Sequence, residues 1–194
     1  MKPINGLPDR IQTMTPEIPF KLVAEGIQKS GRPLILIGGQ AMALRGYQRA
    51  TLDIDFMMTE TDYEKLKPVL SGEGYHEVAR TAVAAKLSPE SENLLDMDIL
   101  FVDEKTFCAV QKDAKKETFQ GVSFLVPSVE HLIALKLHAI KQQPGARELK
   151  DLADIVELIK SNHLNAHEES FKKLCLKFGT PDIYKKIINY TQHG

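Results

Sequence analysis

The sequence has few cysteines, no excess of charge of either sign and no long apolar run. Its two cysteines, Cys108 and Cys175, lie far apart and form no Cys-x-x-Cys pattern. We therefore expect reduced cysteines in packed surroundings, and neither a disulfide nor a metal site. The 25 basic residues are balanced by 26 acidic ones, which argues against a protein that binds nucleic acid nonspecifically through its net charge.

No segment has the length and apolar composition of a membrane span. The N-terminus also lacks a basic stretch followed by a long apolar run, so we expect no signal peptide and no membrane partner, and we predict a cytoplasmic protein. The length of 194 residues suits one compact domain or one domain with a helical extension.

A short apolar segment that ends at two glycines is the first distinctive feature. Residues 34–37 form a continuous aliphatic run, which is typical of a strand buried on both faces. Gly38 and Gly39 would let the backbone approach a bulky anion, and the helix-like segment 40–44 would point its free amides at that anion. The turn therefore predicts a phosphate site, although paired glycines also occur where they only tighten a corner.

Two aspartates follow in an alternating segment. In Asp53-Ile54-Asp55-Phe56, the carboxylates lie on one face of an extended chain and the apolar side chains on the other. A half-buried pair of like charges favours a bound cation, and oxygen ligands without His or Cys favour Mg²⁺ or Mn²⁺. The alternative is an exposed edge strand with solvated aspartates, but the apolar neighbours favour burial.

The Gly-Gly turn, thirteen intervening residues and Asp-x-Asp followed by an apolar residue resemble the signature of the DNA polymerase beta type nucleotidyltransferase superfamily. Arg49 and Thr51, in Arg-x-Thr-x-Asp-x-Asp, resemble more narrowly the branch that contains abortive-infection nucleotidyltransferase toxins. The resemblance implies an α/β (α+β) fold, in which a small mixed β-sheet is flanked by helices. It also implies a nucleoside triphosphate substrate, with Arg49 either in contact with a phosphate or the acceptor, or simply on the surface.

The superfamily has a third carboxylate on a neighbouring strand, and residues 94–102 form an apolar segment that carries two aspartates. Asp98 precedes three apolar residues and resembles the superfamily pattern better than Asp96, which lies nearer the start of the strand. The alternative is that both are solvated ends of an edge strand, but apolar residues on both faces favour burial. We expect Asp98 to be the third carboxylate and keep Asp96 as the alternative.

The resemblance also implies roles for these residues. Asp53 and Asp55 would ligate metal ions, and Asp98 would hold the ion that carries the acceptor oxygen or would accept the proton of that oxygen. In two-metal catalysis, ions roughly 3.5 to 4 Å apart contact the attacking and leaving oxygens. Most superfamily members have serine after the first glycine, whereas Gly39 has no hydroxyl, so the phosphate contact is expected from backbone amides or from Gln40.

The composition becomes mostly helical in the last third of the chain. We predict a nucleotidyltransferase core over residues 16–127 and a helical subdomain over 128–194 that begins with Ser128 as an N-cap. In the first helix of this part, Lys136 interrupts the apolar stripe. Its charge either reaches water past an apolar stem or lies at the wall of a cleft.

The next helix begins with two pairs of opposite charges, each pair spaced four residues apart. Arg147 with Asp151, and Lys150 with Asp154, could form i, i+4 ion pairs on a solvated face, which is the default interpretation. However, the lysine in Ala-Leu-Lys-Leu-His-Ala, a following arginine and Lys-Asp-Leu-Ala-Asp-Ile are similar to the C-terminal motif of the toxin-like branch. This resemblance implies that Lys136 and Asp151 line the nucleotide cleft. The apolar stripe of this helix is predicted to be Leu149, Leu152, Ala153, Val156 and Ile159.

Four further predictions concern the remaining segments. Residues 17–29 predict a helix, and Thr59 or Thr61 predicts the cap of a helix that ends near Leu70. Residues 74–87 predict one or two strands, and residues 165–190 predict two short helices whose lysines form a solvated surface or a basic face for RNA. The six histidines have no spacing that predicts a zinc site.

These patterns predict a metal-dependent nucleotidyltransferase that transfers NMP from an NTP to a tRNA, protein or small-molecule acceptor. The resemblance implies the toxin of a toxin-antitoxin pair, with a cognate antitoxin as partner. A glycosyltransferase also uses Asp-x-Asp, but it needs neither this glycine turn nor a third strand carboxylate. A noncatalytic nucleotide-binding or protein-interaction module with the same fold stays open. So does a minimal nucleotidyltransferase that acts as an antitoxin, although such proteins typically lack the helical part.

Overall fold

The computed structural model describes residues 34–92, 94–119, 122–145 and 147–192. This part of the chain contains seven strands and seven helices. The strands are β1 (Ile35–Ile37), β2 (Asp53–Met58), β3 (Tyr75–Arg80), β4 (Ala84–Pro89), β5 (Asp96–Phe101), β6 (Lys115–Phe119) and β7 (Val122–Val126). The helices are α1 (Gly38–Leu44), α2 (Glu60–Gly72), α3 (Glu104–Asp113), α4 (Val129–Gln142), α5 (Glu148–Ser161), α6 (Glu169–Phe178) and α7 (Pro181–Gln192). The helix predicted over residues 17–29 and the predicted start of the core at residue 16 lie outside the described residues.

The strands form one mixed sheet in the order β3-β4-β5-β2-β1-β7-β6. β2 is antiparallel to β1 on one side and parallel to β5 on the other. β1 is also parallel to β7, whereas the outer pairs β3-β4, β4-β5 and β6-β7 are antiparallel. The predicted mixed α/β fold is therefore confirmed.

The aliphatic sequence of β1 and the alternation of β2 explain why these strands form the centre of the sheet. Ile35 and Leu36 are completely buried, as expected for a strand covered on both faces. In β2, Ile54 and Phe56 are buried while Asp53 and Asp55 are half-buried on the opposite face. Because β2 has a partner on each side, the alternative of an exposed edge strand is wrong.

Capping side chains fix the helix starts that the sequence predicted. Thr59 accepts a hydrogen bond from the Asp62 amide at 3.1 Å and caps α2, which continues to Gly72. Ser128 accepts one from the His131 amide at 3.3 Å and caps α4. Residues 74–87 contain two strands, β3 and the beginning of β4, and α6 and α7 are the two short helices predicted after residue 165.

The C-terminal helices pack against one another and against the glycine-turn helix. α4 contacts α5 and α6, α7 contacts α5 and α6, and α4 also contacts α1. The division at residue 127 into a core and a helical subdomain stays a prediction. None of the described helices has the length and apolar character needed to cross a bilayer.

The two cysteines differ in environment. Cys175 is buried in α6, and burial raises the pKa of its thiol to about 12, as expected of a cysteine that only packs. Cys108 is exposed on α3, so the prediction of a packed position is wrong for it: it lies on the side of α3 away from the buried Phe107 and Val110. Both thiols are free.

Candidate active site

Three aspartates converge where β2 and β5 lie side by side. The parallel register places Asp55 opposite Asp98 and Asp53 opposite Asp96. One carboxylate oxygen from each of Asp53, Asp55 and Asp98 lies within 4.8 Å of the others, and all three residues are half-buried. Among the described residues, no other group of three or more His, Cys, Asp or Glu side chains has spacing suited to a metal ion.

Asp96 lies beside this acidic cluster but has a different partner. Its Oδ2 atom pairs with Nζ of Lys86 at 3.3 Å. Lys86 lies opposite Asp98 in the β4-β5 register and is exposed. The structure thus brings Asp98 rather than Asp96 to the pair on β2. Sequence reasoning missed Lys86, although the buried Ala85 and Leu87 on either side of it could have indicated a side chain on the opposite face.

The carboxylates repel one another, and this repulsion appears in their pKa values. The pKa of Asp55 is raised to about 6. Burial is the largest cause, and the charges of Asp53 and Asp98 contribute to the same rise. Burial also raises the pKa of Asp98, with Lys86 acting in the opposite direction. A cation would relieve this repulsion, and three carboxylates form a donor set that suits a hard divalent ion such as Mg²⁺ or Mn²⁺. The residues present therefore fit such an ion.

The glycine turn lies directly against this cluster. Gly38 has a φ of +65°, and a Cβ atom there would lie 1.9 Å from Oδ2 of Asp55. A Cβ atom at Gly39 would lie 2.9 Å from Cβ and 3.0 Å from Oγ1 of Thr51. Both positions therefore require glycine, because Asp55 and Thr51 occupy the space of a side chain. α1 begins at Gly38, two residues earlier than predicted, and Gln40 is half-buried in its first turn.

Thr51 contacts the metal-site candidates as well as the glycine turn. Its hydroxyl donates a hydrogen bond to Oδ1 of Asp53 at 2.5 Å. Thr51 thus lies between Gly39 on α1 and Asp53 on β2.

A buried ion-pair network adjoins the acidic cluster. Nζ of Lys136 donates to Oδ1 of Asp151 and to Oδ2 of Asp154, both at 2.7 Å. Nε of Arg49 donates to Oδ1 of Asp154 at 3.0 Å. Asp151 and Asp154 are 0% and 1% exposed, so the prediction of a solvated charged face is wrong. The alternative in which Lys136 extends to water is also wrong, because its charge is held by two buried carboxylates.

The same network changes the predicted packing of α5. Leu149 is 79% exposed and Ala153 is exposed, so these two members of the predicted apolar stripe do not face the core. The buried face instead includes the two aspartates, because α4 supplies a cation to them. Arg147 pairs with Asp151 at 3.5 Å as predicted. Asp154 is bonded to Arg49 and Lys136 in place of the predicted Lys150.

The network and the acidic cluster influence each other electrostatically. The positive charges of Lys136 and Arg147 both lower the pKa of Asp55 against the effects of burial and of the neighbouring carboxylates. Arg147 acts in the same direction on Asp98. The structure therefore brings the candidate residues into two adjoining groups. The first contains Gly38, Gly39, Thr51, Asp53, Asp55 and Asp98, and the second contains Arg49, Lys136 and Asp151.

Comparisons with known proteins identify a family and several similar folds. A family described as "uncharacterised nucleotidyltransferase" matches residues 19–193, and no curated protein sequence matches the chain. The solution structure of the antibiotic-resistance factor ANT(2'')-Ia is similar with a TM-score of 0.64 and 15% identity, over 92% of this chain and 97% of that one. A crystal structure of ANT(2'')-Ia in complex with adenylyl-2''-tobramycin also has a TM-score of 0.64, with 16% identity over 84% of this chain and 95% of that one.

Two further folds are similar at lower TM-scores. The Megavirus polyadenylate synthase has a TM-score of 0.52 and 16% identity, over 82% of this chain and 34% of that one. The lincomycin-bound lincosamide antibiotic adenylyltransferase LnuA has a TM-score of 0.50 and 19% identity, over 81% of this chain and 99% of that one. Identities this low show a common fold only.

Proposed function

Because this chain belongs to the family of uncharacterised nucleotidyltransferases that matches residues 19–193, we propose that it transfers a nucleoside monophosphate from an NTP to an acceptor and releases pyrophosphate. This membership confirms the nucleotidyltransferase family predicted from the sequence, whereas the toxin-like branch stays a prediction. The observation that carries the proposal is the convergence of Asp53, Asp55 and Asp98 within 4.8 Å beside the turn at Gly38.

Asp53, Asp55 and Asp98 would hold the divalent cation that this chemistry requires. When bound there, Mg²⁺ or Mn²⁺, as one ion or as two, would activate the acceptor oxygen and neutralise charge that develops on the phosphates. The raised pKa values of Asp55 and Asp98 support this assignment, since carboxylates that repel one another in a half-buried site are stabilised by a cation.

The order of the strands suggests where the two substrates bind. The glycine turn follows β1, the two metal-ligand candidates lie on β2, and Asp98 lies on β5. We therefore place the triphosphate on the β1 side of the acidic cluster and the acceptor on the β5 side. Asp98, as the carboxylate nearest the acceptor, would take up the proton of its hydroxyl. Lys86, exposed on β4 next to Asp98, would border the entrance for the acceptor.

The cations of the network have different freedom to contact the triphosphate. Two of the three N–H donors of Lys136 are used by Asp151 and Asp154, which leaves one donor for a phosphate oxygen. Arg147 is 53% exposed in its side chain and lies 3.5 Å from Asp151, so it has more freedom to reach the nucleotide. Both Nε and Nη2 of Arg49 are directed to Asp154, and we assign Arg49 to holding the network together rather than to binding a phosphate.

The chemical class of the acceptor is inferred from similar folds and from the resemblance to the toxin-like branch. ANT(2'')-Ia, which is bound to adenylyl-2''-tobramycin in one structure, and a polyadenylate synthase share the fold, so the fold accommodates both small molecules and RNA. We propose a hydroxyl or phosphate acceptor on tRNA, a protein or a small molecule. We also propose that the protein is a cytoplasmic toxin that a cognate antitoxin restrains. This proposal rests on two segments, residues 49–55 and 136–155, which resemble motifs of the toxin-like branch.

The test is nucleotide transfer by the purified protein. Each of the four α-³²P-labelled NTPs is incubated with the protein, Mg²⁺ or Mn²⁺ and a cell lysate, and both pyrophosphate release and the labelled product are measured. Asp98→Asn should lower the rate by about 10²-fold or more, as loss of a proton acceptor or metal ligand does. The matched control is Asp96→Asn, which removes the same charge from the same strand and should stay within a few-fold of the unchanged protein.

Two outcomes would contradict the proposal. Equal rates for the Asp98 and Asp96 variants would remove Asp98 from the site. Tight NTP binding without pyrophosphate release under any of these conditions would favour the noncatalytic nucleotide-binding module.

A further inference from the structure

Thr51 packs against Gly39 and forms a hydrogen bond with Asp53. A Cβ atom placed on Gly39 would lie 2.9 Å from Cβ, 3.0 Å from Oγ1 and 3.1 Å from Cγ2 of Thr51. All three side-chain carbon and oxygen atoms of Thr51 are thus packed onto the bare face of Gly39. From this position the Thr51 hydroxyl donates to Oδ1 of Asp53 at 2.5 Å.

We propose that Thr51 is a positioning residue for the cation site. Its hydroxyl fixes the orientation of the Asp53 carboxylate, and Gly39 is a glycine because the Thr51 side chain needs the space beside it. This inference rests on the proposed function, since it gives Thr51 a role only if Asp53 holds a cation.

The contacts explain how Thr51 can orient Asp53 so firmly. A hydroxyl has one hydrogen to donate, and the nearest acceptor is Asp53 Oδ1, whereas the backbone oxygen of Asp53 lies 3.5 Å away. Thr51 itself cannot turn freely, because Gly39 lies against all of its side-chain atoms and β-branched side chains have few rotamers. A donor that is held in place in this way keeps a carboxylate ligand from rotating.

Hydrogen bonds of this kind commonly change metal affinity or activity by about 10- to 100-fold. The structure also indicates what happens when the pocket for Thr51 is filled. Alanine at position 39 would place its Cβ 2.9 Å from Cβ and 3.0 Å from Oγ1 of Thr51, so Thr51 must shift, and we expect this shift to weaken its hydrogen bond to Asp53. Gly39→Ala and loss of the Thr51 hydroxyl should therefore weaken the cation site in the same way.

The experiment measures Mn²⁺ affinity of the full chain by electron paramagnetic resonance, without substrate or turnover. Thr51→Val keeps the branched shape and removes the hydroxyl, and it should raise the Kd for Mn²⁺ by about 10- to 100-fold. Thr51→Ser keeps the hydroxyl and should stay within about threefold of the unchanged protein. Thr51→Ala serves as a second variant without a hydroxyl if the valine packs poorly.

Two controls separate a loss of orientation from a loss of folding. Melting temperatures should change little among the Thr51 variants, since a general structural role would lower stability and leave Mn²⁺ affinity of the folded protein unchanged. Gly39→Ala should behave like Thr51→Val, whereas Gly72→Ala, which also lies in a helix but has no atom within 4 Å of its Cβ position, should bind Mn²⁺ normally.

The outcomes distinguish this inference from the proposed function. If Thr51→Val and Thr51→Ala bind Mn²⁺ like the unchanged protein while Asp53→Asn binds it weakly, the role of Thr51 is overturned and the cation site remains. If the unchanged protein binds no Mn²⁺, both the proposed site and this inference are overturned.

Discussion

Replacing Gly38 by alanine should separate the fold from the activity of this protein. A Cβ atom at Gly38 would lie 1.9 Å from Oδ2, 2.4 Å from Cγ and 2.7 Å from Cβ of Asp55. Non-bonded atoms do not approach this closely, so the Asp55 carboxylate must move until its nearest atom is more than about 3.0 Å from the new methyl group. Rotation of the carboxylate would relieve the contacts to Oδ2 and Cγ. The contact to Cβ also requires a small shift of the glycine turn, because Asp55 belongs to a central strand with partners on both sides.

Gly38→Ala should lower both the stability and the activity, and the loss of activity should exceed what a positive φ alone can cause. Alanine at a φ of +65° costs about 1 to 2 kcal/mol of folding free energy because its Cβ crowds the backbone. A displacement of about 1 Å in a catalytic group can lower a rate by about 10²-fold, and Asp55 must move at least this far. We therefore expect Gly38→Ala to fold and to release pyrophosphate about 10²-fold more slowly. Its loss in urea unfolding should exceed the backbone cost of about 1 to 2 kcal/mol, since displacing Asp55 adds about 1 to 3 kcal/mol.

Gly74→Ala is the matched control. Gly74 also has a positive φ, +83°, but its Cβ position is 3.7 Å from the nearest atom, Oε2 of Glu90, which is an ordinary contact distance. The variant should show only the backbone cost of about 1 to 2 kcal/mol and an unchanged rate. If folded Gly38→Ala releases pyrophosphate as fast as Gly74→Ala, the Asp55 carboxylate does not act from the position that the structure shows.

Two further predictions concern buried charge. The pKa of Asp55 is raised from 3.8 to about 6, so its ionisation destabilises the metal-free folded protein: the effect is absent below about pH 4 and complete above pH 6. Asp55→Asn should thus raise the melting temperature at pH 7.5 but not at pH 4, and a melting temperature equal to or below that of the unchanged protein at pH 7.5 would contradict this. Lys136→Met leaves the buried Asp151 and Asp154 without their shared cation and should cost about 3 to 5 kcal/mol in urea unfolding. Lys86→Met, at an exposed position, should cost less than about 1 kcal/mol. Equal losses in the two variants would show that the buried ion pairs contribute no more to stability than an exposed one.

Local sequence was sufficient to predict the parts of the site that depend on strand geometry. The run 34–37 and the alternation of Asp53 and Asp55 each reflect a short-range rule: burial on both faces, and side chains on alternate faces. Asp98 was also distinguished from Asp96 by its depth in the strand, and the β2-β5 register places it opposite Asp55.

The ion-pair network could not be predicted in this way because its partners are remote in sequence. For Asp151 and Asp154, the i, i+4 rule offers partners within α5 itself, and it succeeds for Arg147. The stronger partners come from elsewhere: Lys136 is on α4, and Arg49 is 105 residues before Asp154. Because these cations pair with Asp151 and Asp154, the face of α5 that carries the two aspartates can be buried, and apolar residues such as Leu149 are left in solvent.

The contact between Gly39 and Thr51 also has no signal in local sequence, and it explains why residue 39 is a glycine. Judged against superfamily members with serine, Gly39 is a position that has lost a hydroxyl. In the structure, the space where a serine side chain would begin is filled by Thr51, whose Oγ1 is 3.0 Å from that point. This hydroxyl donates its one hydrogen to Asp53, so a phosphate contact at the turn is still expected from backbone amides or from Gln40.

The spacing of Arg-x-Thr-x-Asp-x-Asp follows from four different contacts of its four alternate residues. Arg49 bonds to Asp154 on α5, Thr51 packs on Gly39, and Asp53 accepts the Thr51 hydroxyl. Asp55 fills the space beside the first glycine of the turn. These side chains thus contact α5, the two glycines of α1 and one another, although only five residues lie between Arg49 and Asp55. Within β2, a shift of one residue in the pairing would turn Asp53 and Asp55 to the opposite face of the sheet, so the register of this strand fixes the acidic cluster beside the glycine turn.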